Sequence, residues 1–218
     1  MQVNNLQNQN SILNKFVAEL RDVSIQKDAM RFRKNIERIG ELLGYELSKQ
    51  LDYIATSVKT PLGESKTALH ADQIVVCSIL RAGLPLHNGL INCFDRAENS
   101  FISAYRHHTS STEFEIKVEY LATPSLEGKT LILADPMLAT GRTFINVLEA
   151  LKPMGTPAKI HLVSVIGSHP GVDYLKGVLS DEITLWIAAI DEKLNEKGYI
   201  VPGLGDAGDL SFGSKMQN

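Results

Sequence analysis

Long apolar runs are missing from this chain of 218 residues. Stretches such as Ile183 to Ile190 fall well short of the roughly 20 residues that cross a bilayer, so no membrane partner is expected. Cysteine is scarce. Cys77 and Cys93 lie in a strand-like and a helix-like stretch, outside any metal-ligand spacing, and both read as reduced core thiols. Positive charge is not in excess either: 22 Lys and Arg stand against 25 Asp and Glu, a formal net charge of −3. That argues against a broad nucleic-acid surface, though not against a local basic patch. No basic segment precedes an apolar one near Met1; residues 1–10 are polar, rich in Asn and Gln, and expected to fray. Internal repeats and low-complexity linkers are absent. These absences leave a single domain over 1–218, cytoplasmic, with a hydrophobic content of 44% that suits a packed core.

What is present is organised around Leu131 to Thr143. Leu131-Ile132-Leu133-Ala134 is a short apolar run that reads as a strand buried on both faces. Asp135 stands where it stops. The turn Ala139-Thr140-Gly141 follows, then a helical stripe of Phe144, Val147, Leu148 and Leu151. A strand, a tight turn and a helix start aim several N–H groups and a helix dipole at one spot, which suits a phosphate. The Thr140 and Thr143 hydroxyls can donate to the same anion, while Asp135 can hold sugar hydroxyls or a metal. An ordinary α/β turn that binds nothing fits the local pattern equally well.

Elsewhere, Ile12, Leu13, Phe16, Val17 and Leu20 make a helical stripe after Ser11, an N-cap residue type. Phe32, Ile36, Ile39, Leu43 and Leu47 make a longer one. Arg31, Arg33, Lys34, Glu37 and Arg38 lie between those apolar positions, as a solvated face or, alternatively, a phosphate-facing rim or subunit contact. Thr60 to Glu64 is a turn. Ile74 to Leu80 reads as the first central strand, ending in Arg81-Ala82-Gly83-Leu84 before a helix with Pro85 in its first turn. Arg81 is either a surface arginine or a phosphate grip, for which its planar fork is suited.

Phe101 to Tyr105 is a further strand, followed by Arg106-His107-His108. The alternation of Phe114, Ile116, Val118 and Tyr120 predicts an antiparallel arm. Adjacent histidines on an extended chain point opposite ways, which disfavours chelation by His107 and His108. Ile160 to Ile166 and Ile183 to Ile190 complete the strands; His161 reads as a strand-edge residue. The glycine-rich stretch from Gly198 to Gly213 shows no period and reads as a surface loop. Yet it embeds Tyr199, Ile200, Leu204 and Phe212, and its exposed backbone could read a flat polar base edge.

Three strings carry a resemblance. Asp135-Pro136-Met137-Leu138-Ala139-Thr140-Gly141 resembles the 5-phosphoribosyl-1-pyrophosphate (PRPP) loop of phosphoribosyltransferases, in the single-acid form of the uracil phosphoribosyltransferase family. Leu80-Arg81-Ala82-Gly83-Leu84 resembles that family's pyrophosphate loop. Tyr199 to Asp209 resembles its uracil-binding segment. The resemblance runs from about Ile12 to Gly213 and implies an α/β fold of type I phosphoribosyltransferases: a doubly wound parallel sheet flanked by helices, with a β-arm and a C-terminal hood loop. It implies transfer of phosphoribose from PRPP to uracil, giving UMP and pyrophosphate.

By the same resemblance, PRPP is bound by Arg81, Arg106, Asp206 and the loop Asp135, Pro136, Met137, Leu138, Ala139, Thr140, Gly141, Arg142 and Thr143. Uracil is bound by Ile200, Gly205, Asp206 and Ala207. Asp135, Arg106 and Asp206 are the implied catalytic residues. Asp191 falls at the same edge of the sheet as Arg81 and Asp135. Mg2+ rides on PRPP rather than on a protein metal site. A homo-oligomer, dimer or larger, and GTP as an effector in some members are further implications. The chain departs from the family at Arg142, where a glycine is usual, at Leu210, where a basic residue is usual, and over Gly167 to Gly171. Thr140-Gly141-Arg142-Thr143 also resembles pyrimidine-operon regulators, which makes a PRPP- or UMP-sensing RNA-binding regulator the alternative. The single acid at Asp135, the net charge and the intact uracil segment weigh against it.

Overall fold

The computed structural model describes residues 1–108 and 114–215, with 104–108 and 114–119 described through their backbone alone. In chain order the strands are β1 (Gln2–Asn5), β2 (Tyr53–Thr60), β3 (Gly63–His70), β4 (Ile74–Leu80), β5 (Glu98–His108), β6 (Phe114–Ala122), β7 (Thr130–Ala134), β8 (Met137–Leu138), β9 (Lys159–Ser168), β10 (Thr184–Asp191), β11 (Lys193–Leu194) and β12 (Ile200–Val201). The helices are α1 (Leu13–Arg21), α2 (Ala29–Ser48), α3 (Gly83–Cys93), α4 (Arg142–Leu151), α5 (His169–Val178) and α6 (Ala207–Phe212).

The apolar runs become the middle of one sheet, ordered β1-β10-β9-β7-β4-β5-β6, with β8 continuing beside β9. Its pairs are parallel except β5 with β6, the expected antiparallel arm. Alternation divides each central strand between two cores. Ile74 and Val76 of β4, Ile132 of β7 and Trp186 of β10 pack with α1, α2 and α3. Val75, Leu131 and Leu185 pack on the opposite face with α4 and α5. Helices on both faces of a mostly parallel sheet make the doubly wound fold.

From β4 the chain winds one way to β5, and from β7 the other way to β9 and β10. That reversal between β4 and β7 opens a crevice beyond their carboxyl ends, the place where such sheets take ligands.

Helices α2 and α3 cross at unusually short range. A Cβ on Gly89 would overlap the Glu37 carbonyl, and one on Gly40 would stand 2.8 Å from the Leu86 carbonyl. Only residues without side chains allow this crossing.

Several expectations change. Residues 1–10 were expected to fray, yet Gln2–Asn5 pair with Thr184–Ile187 as the edge strand. Met1 is buried, with its ammonium 2.7 Å from Asp181 Oδ1. A polar edge strand carries no hydrophobic pattern to announce it. The loop expected from Gly198 to Gly213 contains β12 and the helix α6, capped by the Asp206 carboxylate accepting from the Asp209 N–H at 2.9 Å.

The β2–β3 hairpin around the Thr60–Glu64 turn is long and exposed on nearly every residue. Cys77 is a buried core thiol, pushed up to about 11 by burial. Cys93 is exposed at the end of α3, its Sγ donating to the Glu41 carbonyl. His161 lies well inside the sheet, because β9 runs between β7 and β10. Its Nδ1 accepts from Trp186 Nε1 at 3.3 Å.

Candidate active site

The crevice holds a cavity of about 580 Å3, walled by the ends of β4 and β7, the loop leading into α4, and the segment from Lys197 to Gly208. Its floor is built by local geometry. Asp135 follows the last residue of β7; its carbonyl accepts from Ser164 Oγ at 2.6 Å, and its Oδ1 accepts from the Met137 N–H at 3.1 Å. The carboxylate is therefore oriented from behind while it faces the cavity. Gly141 then turns the chain at φ +77°, a left-handed conformation that favours glycine, and α4 begins at Arg142. Gly141 has no side chain to cap that terminus, and Thr140 Oγ1 accepts from the Arg142 N–H at 3.4 Å, so the start of a ten-residue helix lies beside the region of the cavity lined by Thr140, Gly141 and Thr143.

A second layer supports this loop. Ser168 Oγ donates to the Ala139 carbonyl at 2.6 Å and accepts from the Gly171 N–H at 3.0 Å. A Cβ on Gly171 would overlap the Ala139 carbonyl, and one on Gly141 would meet the Gly171 carbonyl at 2.9 Å. The segment Gly167–Gly171, unexplained by sequence, is thus the backbone bed on which the loop lies. Ser168 followed by Pro170 is an N-cap signature that could have marked the start of α5.

On the opposite wall, the Leu80–Arg81 peptide is cis. Arg81 Nη2 donates to Asp209 Oδ1 at 3.2 Å and to the Gly213 carbonyl at 2.9 Å. Its Nε is a buried donor with no hydrogen-bond partner among the described residues. The third wall is α6 and its approach, held in place by α2. Arg33 donates to the Ser211 carbonyl at 2.6 Å and lies over the Phe212 ring at 5.8 Å.

Within 135–143, all residues but Pro136 and Arg142 line the cavity, and so do Arg81, Ile200, Gly205, Asp206 and Ala207. Pro136 is buried, its carbonyl accepting from the Val165 and Ile166 N–H groups; Arg142 is exposed. Arg106 falls in β5, opposite Ile116, and its side chain lies outside the described residues, as do those of His107 and His108. Asp191 is spent on structure: Arg21 grips it with two bonds of 2.7 Å and the Gly203 N–H donates to it at 2.9 Å. The α2 cluster does not line the cavity either: Arg31 pairs with Glu19, Lys34 with Glu37, and Arg38 lies over Phe16. Sequence reasoning missed Lys197 and Lys215, both cationic residues of the lining.

The arrangement joins a helix N-terminus, a forked cation, two carboxylates and a glycine-rich wall in one crevice. The family profile described as uracil phosphoribosyltransferase matches residues 7–214. A uracil phosphoribosyltransferase of Porphyromonas gingivalis is 50% identical over 216 residues, covering 99% of this chain and 100% of that protein. One from Pyrococcus furiosus is 39% identical over 204 residues, covering 92% and 86%. A solved structure from Aquifex aeolicus superposes with a TM-score of 0.86 at 29% identity, covering 99% of this chain and all of that one. A hypoxanthine phosphoribosyltransferase from Staphylococcus aureus, at 17% identity and TM-score 0.52 over 85% of this chain and 84% of that one, shares the fold.

Proposed function

The chain belongs to the uracil phosphoribosyltransferase family, and from that premise we propose that it transfers phosphoribose from PRPP to N1 of uracil, releasing UMP and pyrophosphate. The observation that carries the reading is the single cavity in which the loop 135–143 and the segment 200–207 face one another.

In this reading the 5′-phosphate sits on the N-terminus of α4, held by loop N–H groups and by the Thr140 and Thr143 hydroxyls. Asp135 holds the ribose hydroxyls and offsets the positive charge that develops on the ring. Arg81, with its unpartnered Nε, and Arg106 bind the diphosphate and stabilise the charge gathering on it. The C1–O bond to diphosphate breaks as the N1–C1 bond forms; the N1 proton leaves to Asp206, directly or through water. Positioning two substrates in one crevice is worth about 7–11 kcal/mol of the barrier. Mg2+, held mainly by PRPP oxygens, would supply neutralisation of diphosphate charge, and the Asp135 and Asp206 carboxylates at the rim are hard oxygen groups compatible with it.

Uracil lies against Ile200, Gly205, Asp206 and Ala207. Backbone acceptors and donors there match its N3–H and carbonyls and leave cytosine with unpaired groups, a mismatch that can reject an analogue by about 10⁴. Neither the family profile nor the relatives favour the regulator alternative suggested by Thr140-Gly141-Arg142-Thr143. We also place the enzyme in the cytoplasm; among the described residues no helix is long and apolar enough to cross a membrane. A homo-oligomer is supported by the β2–β3 hairpin. Two strands alone are marginally stable, and this pair turns Tyr53, Ile54, Val58, Leu62 and Leu69 outward. GTP as an effector rests on the family resemblance.

Turnover of PRPP and Mg2+ with uracil, cytosine, hypoxanthine and orotate tests the reading. UMP from uracil alone is the expected result; nucleotide from a purine, or no product from any base, overturns it.

A further inference from the structure

The cavity's cations are unevenly engaged. Arg81 is already partly neutralised by Asp209 and tied to the Gly213 carbonyl. Lys197 stands beside Gly198 and Tyr199, next to the segment proposed for the base. Helix α6 itself contributes no positive charge, because Leu210 turns inward and packs against the main core. Lys215 is different. It lines the cavity from beyond the end of α6, is exposed, and has no ion-pair or hydrogen-bond partner among the described residues.

Gly208 locates it. A methyl group there would meet Lys215 Cε at 3.8 Å, Arg81 Nη2 at 3.9 Å and Asp206 Oδ1 at 3.1 Å. Lys215 and Arg81 thus reach the same glycine, on the Arg81 side of the cavity. The bond from Arg81 to the Gly213 carbonyl also anchors the short segment that carries Lys215.

We propose that Lys215 binds the leaving group: its ammonium and the Arg81 guanidinium together receive the diphosphate. This rests on the proposed transferase reading and names a residue beyond those assigned to it. A diphosphate carries more negative charge than one guanidinium already shared with a carboxylate can offset. Lysine adds a compact point charge with rotatable donors, able to follow the group as it departs. When diphosphate draws Arg81 away from Asp209, the ammonium keeps the segment after α6 closed over the ligand.

Calorimetric titration of the full chain with magnesium pyrophosphate and, separately, with UMP tests this. Lys215→Ala should weaken pyrophosphate about tenfold or more, the scale of one charge-assisted hydrogen bond. UMP, which has no diphosphate, should bind as to the unaltered protein. Lys215→Arg should recover most of the affinity, and Lys215→Met should not, which separates charge from bulk. Unchanged pyrophosphate binding in Lys215→Ala overturns the proposal, as does equal weakening of pyrophosphate and UMP. Failure of the unaltered protein to bind UMP or to form it from uracil would instead overturn the transferase reading, and the pyrophosphate titration would still report on Lys215.

Discussion

Two strands of the sheet deliver an aspartate to its carboxyl edge, and the chain treats them in opposite ways. Asp135, after β7, is oriented from behind and left facing the cavity. Asp191, ending β10, is 7% exposed and closed by Arg21 and the Gly203 N–H. β7 borders the point where the winding reverses and the crevice opens; β10 does not. Being at the carboxyl edge is therefore insufficient. The same side chain lines the cavity at the reversal, where chemistry is proposed, and is scaffold two strands away.

Exchanging the two roles by mutation breaks this comparison most sharply. Asp135→Asn should cut kcat by more than about tenfold, the loss of over 1.4 kcal/mol of transition-state stabilisation, with Tm nearly unchanged. Steady-state kinetics and a thermal melt on the same sample decide it, and near-normal turnover would remove Asp135 from its proposed role. Asp191→Asn should do the reverse. It leaves Arg21 short of its carboxylate, so denaturant unfolding should report a loss of about 2–3 kcal/mol, toward the low end for a broken buried pair because Arg21 is partly exposed. A large fall in kcat from a fully folded Asp191→Asn protein would erase the distinction.

The loop bed sharpens it further. Gly171→Ala drives a methyl into the Ala139 carbonyl, which should raise the KM for PRPP severalfold and leave the KM for uracil less affected. Ser168→Ala removes both the bond to that carbonyl and the α5 cap on the Gly171 N–H, and a loss of about 2 kcal/mol by denaturant melt is expected.

The smallest effect concerns the scaffold half alone. His161 is lowered to about 4, first by burial and then by Lys159, against the opposing pull of Asp72. The unfolded chain takes up its proton near pH 6.5, whereas the folded chain resists until about pH 4. Stability should therefore fall as pH drops through that window and level off below it. Protonation would also break the acceptor bond from Trp186. His161→Gln should flatten the slope of Tm between pH 6.5 and 4; an unchanged slope would mean that other groups, such as the buried His87, set it.

How much of this was legible follows from what each feature needs. The apolar runs 74–80, 131–134, 160–166 and 183–190 became β4, β7, β9 and β10, because burial on both faces writes itself as continuous hydrophobicity. The stripes of α1 and α2 were equally plain, although the Asp28 cap that starts α2 was overlooked. β1 left no trace and the β2–β3 hairpin only its turn at Thr60–Glu64, since a polar edge strand and an arm exposed on both sides have no face to pattern. Asp206-Ala207-Gly208-Asp209 held a cap signal for α6, outweighed by the glycines around it. The Arg21–Asp191 pair spans most of the chain, and no local rule reaches that far. Lys215 was illegible for a related reason: its place in the cavity depends on how α6 folds back.

The crossing of α2 and α3 has a consequence for any survey of tolerated substitutions. No chemistry happens at Gly89, yet the smallest added side chain there would push against the Glu37 carbonyl and shift α2 as a body. Arg33 rides on α2 and fastens α6, and α6 begins beside Asp206 in the cavity wall. A map of intolerance drawn from growth or activity should therefore show a hot position far from every substrate atom, as severe as Asp135. It would report a lever arm, not a ligand.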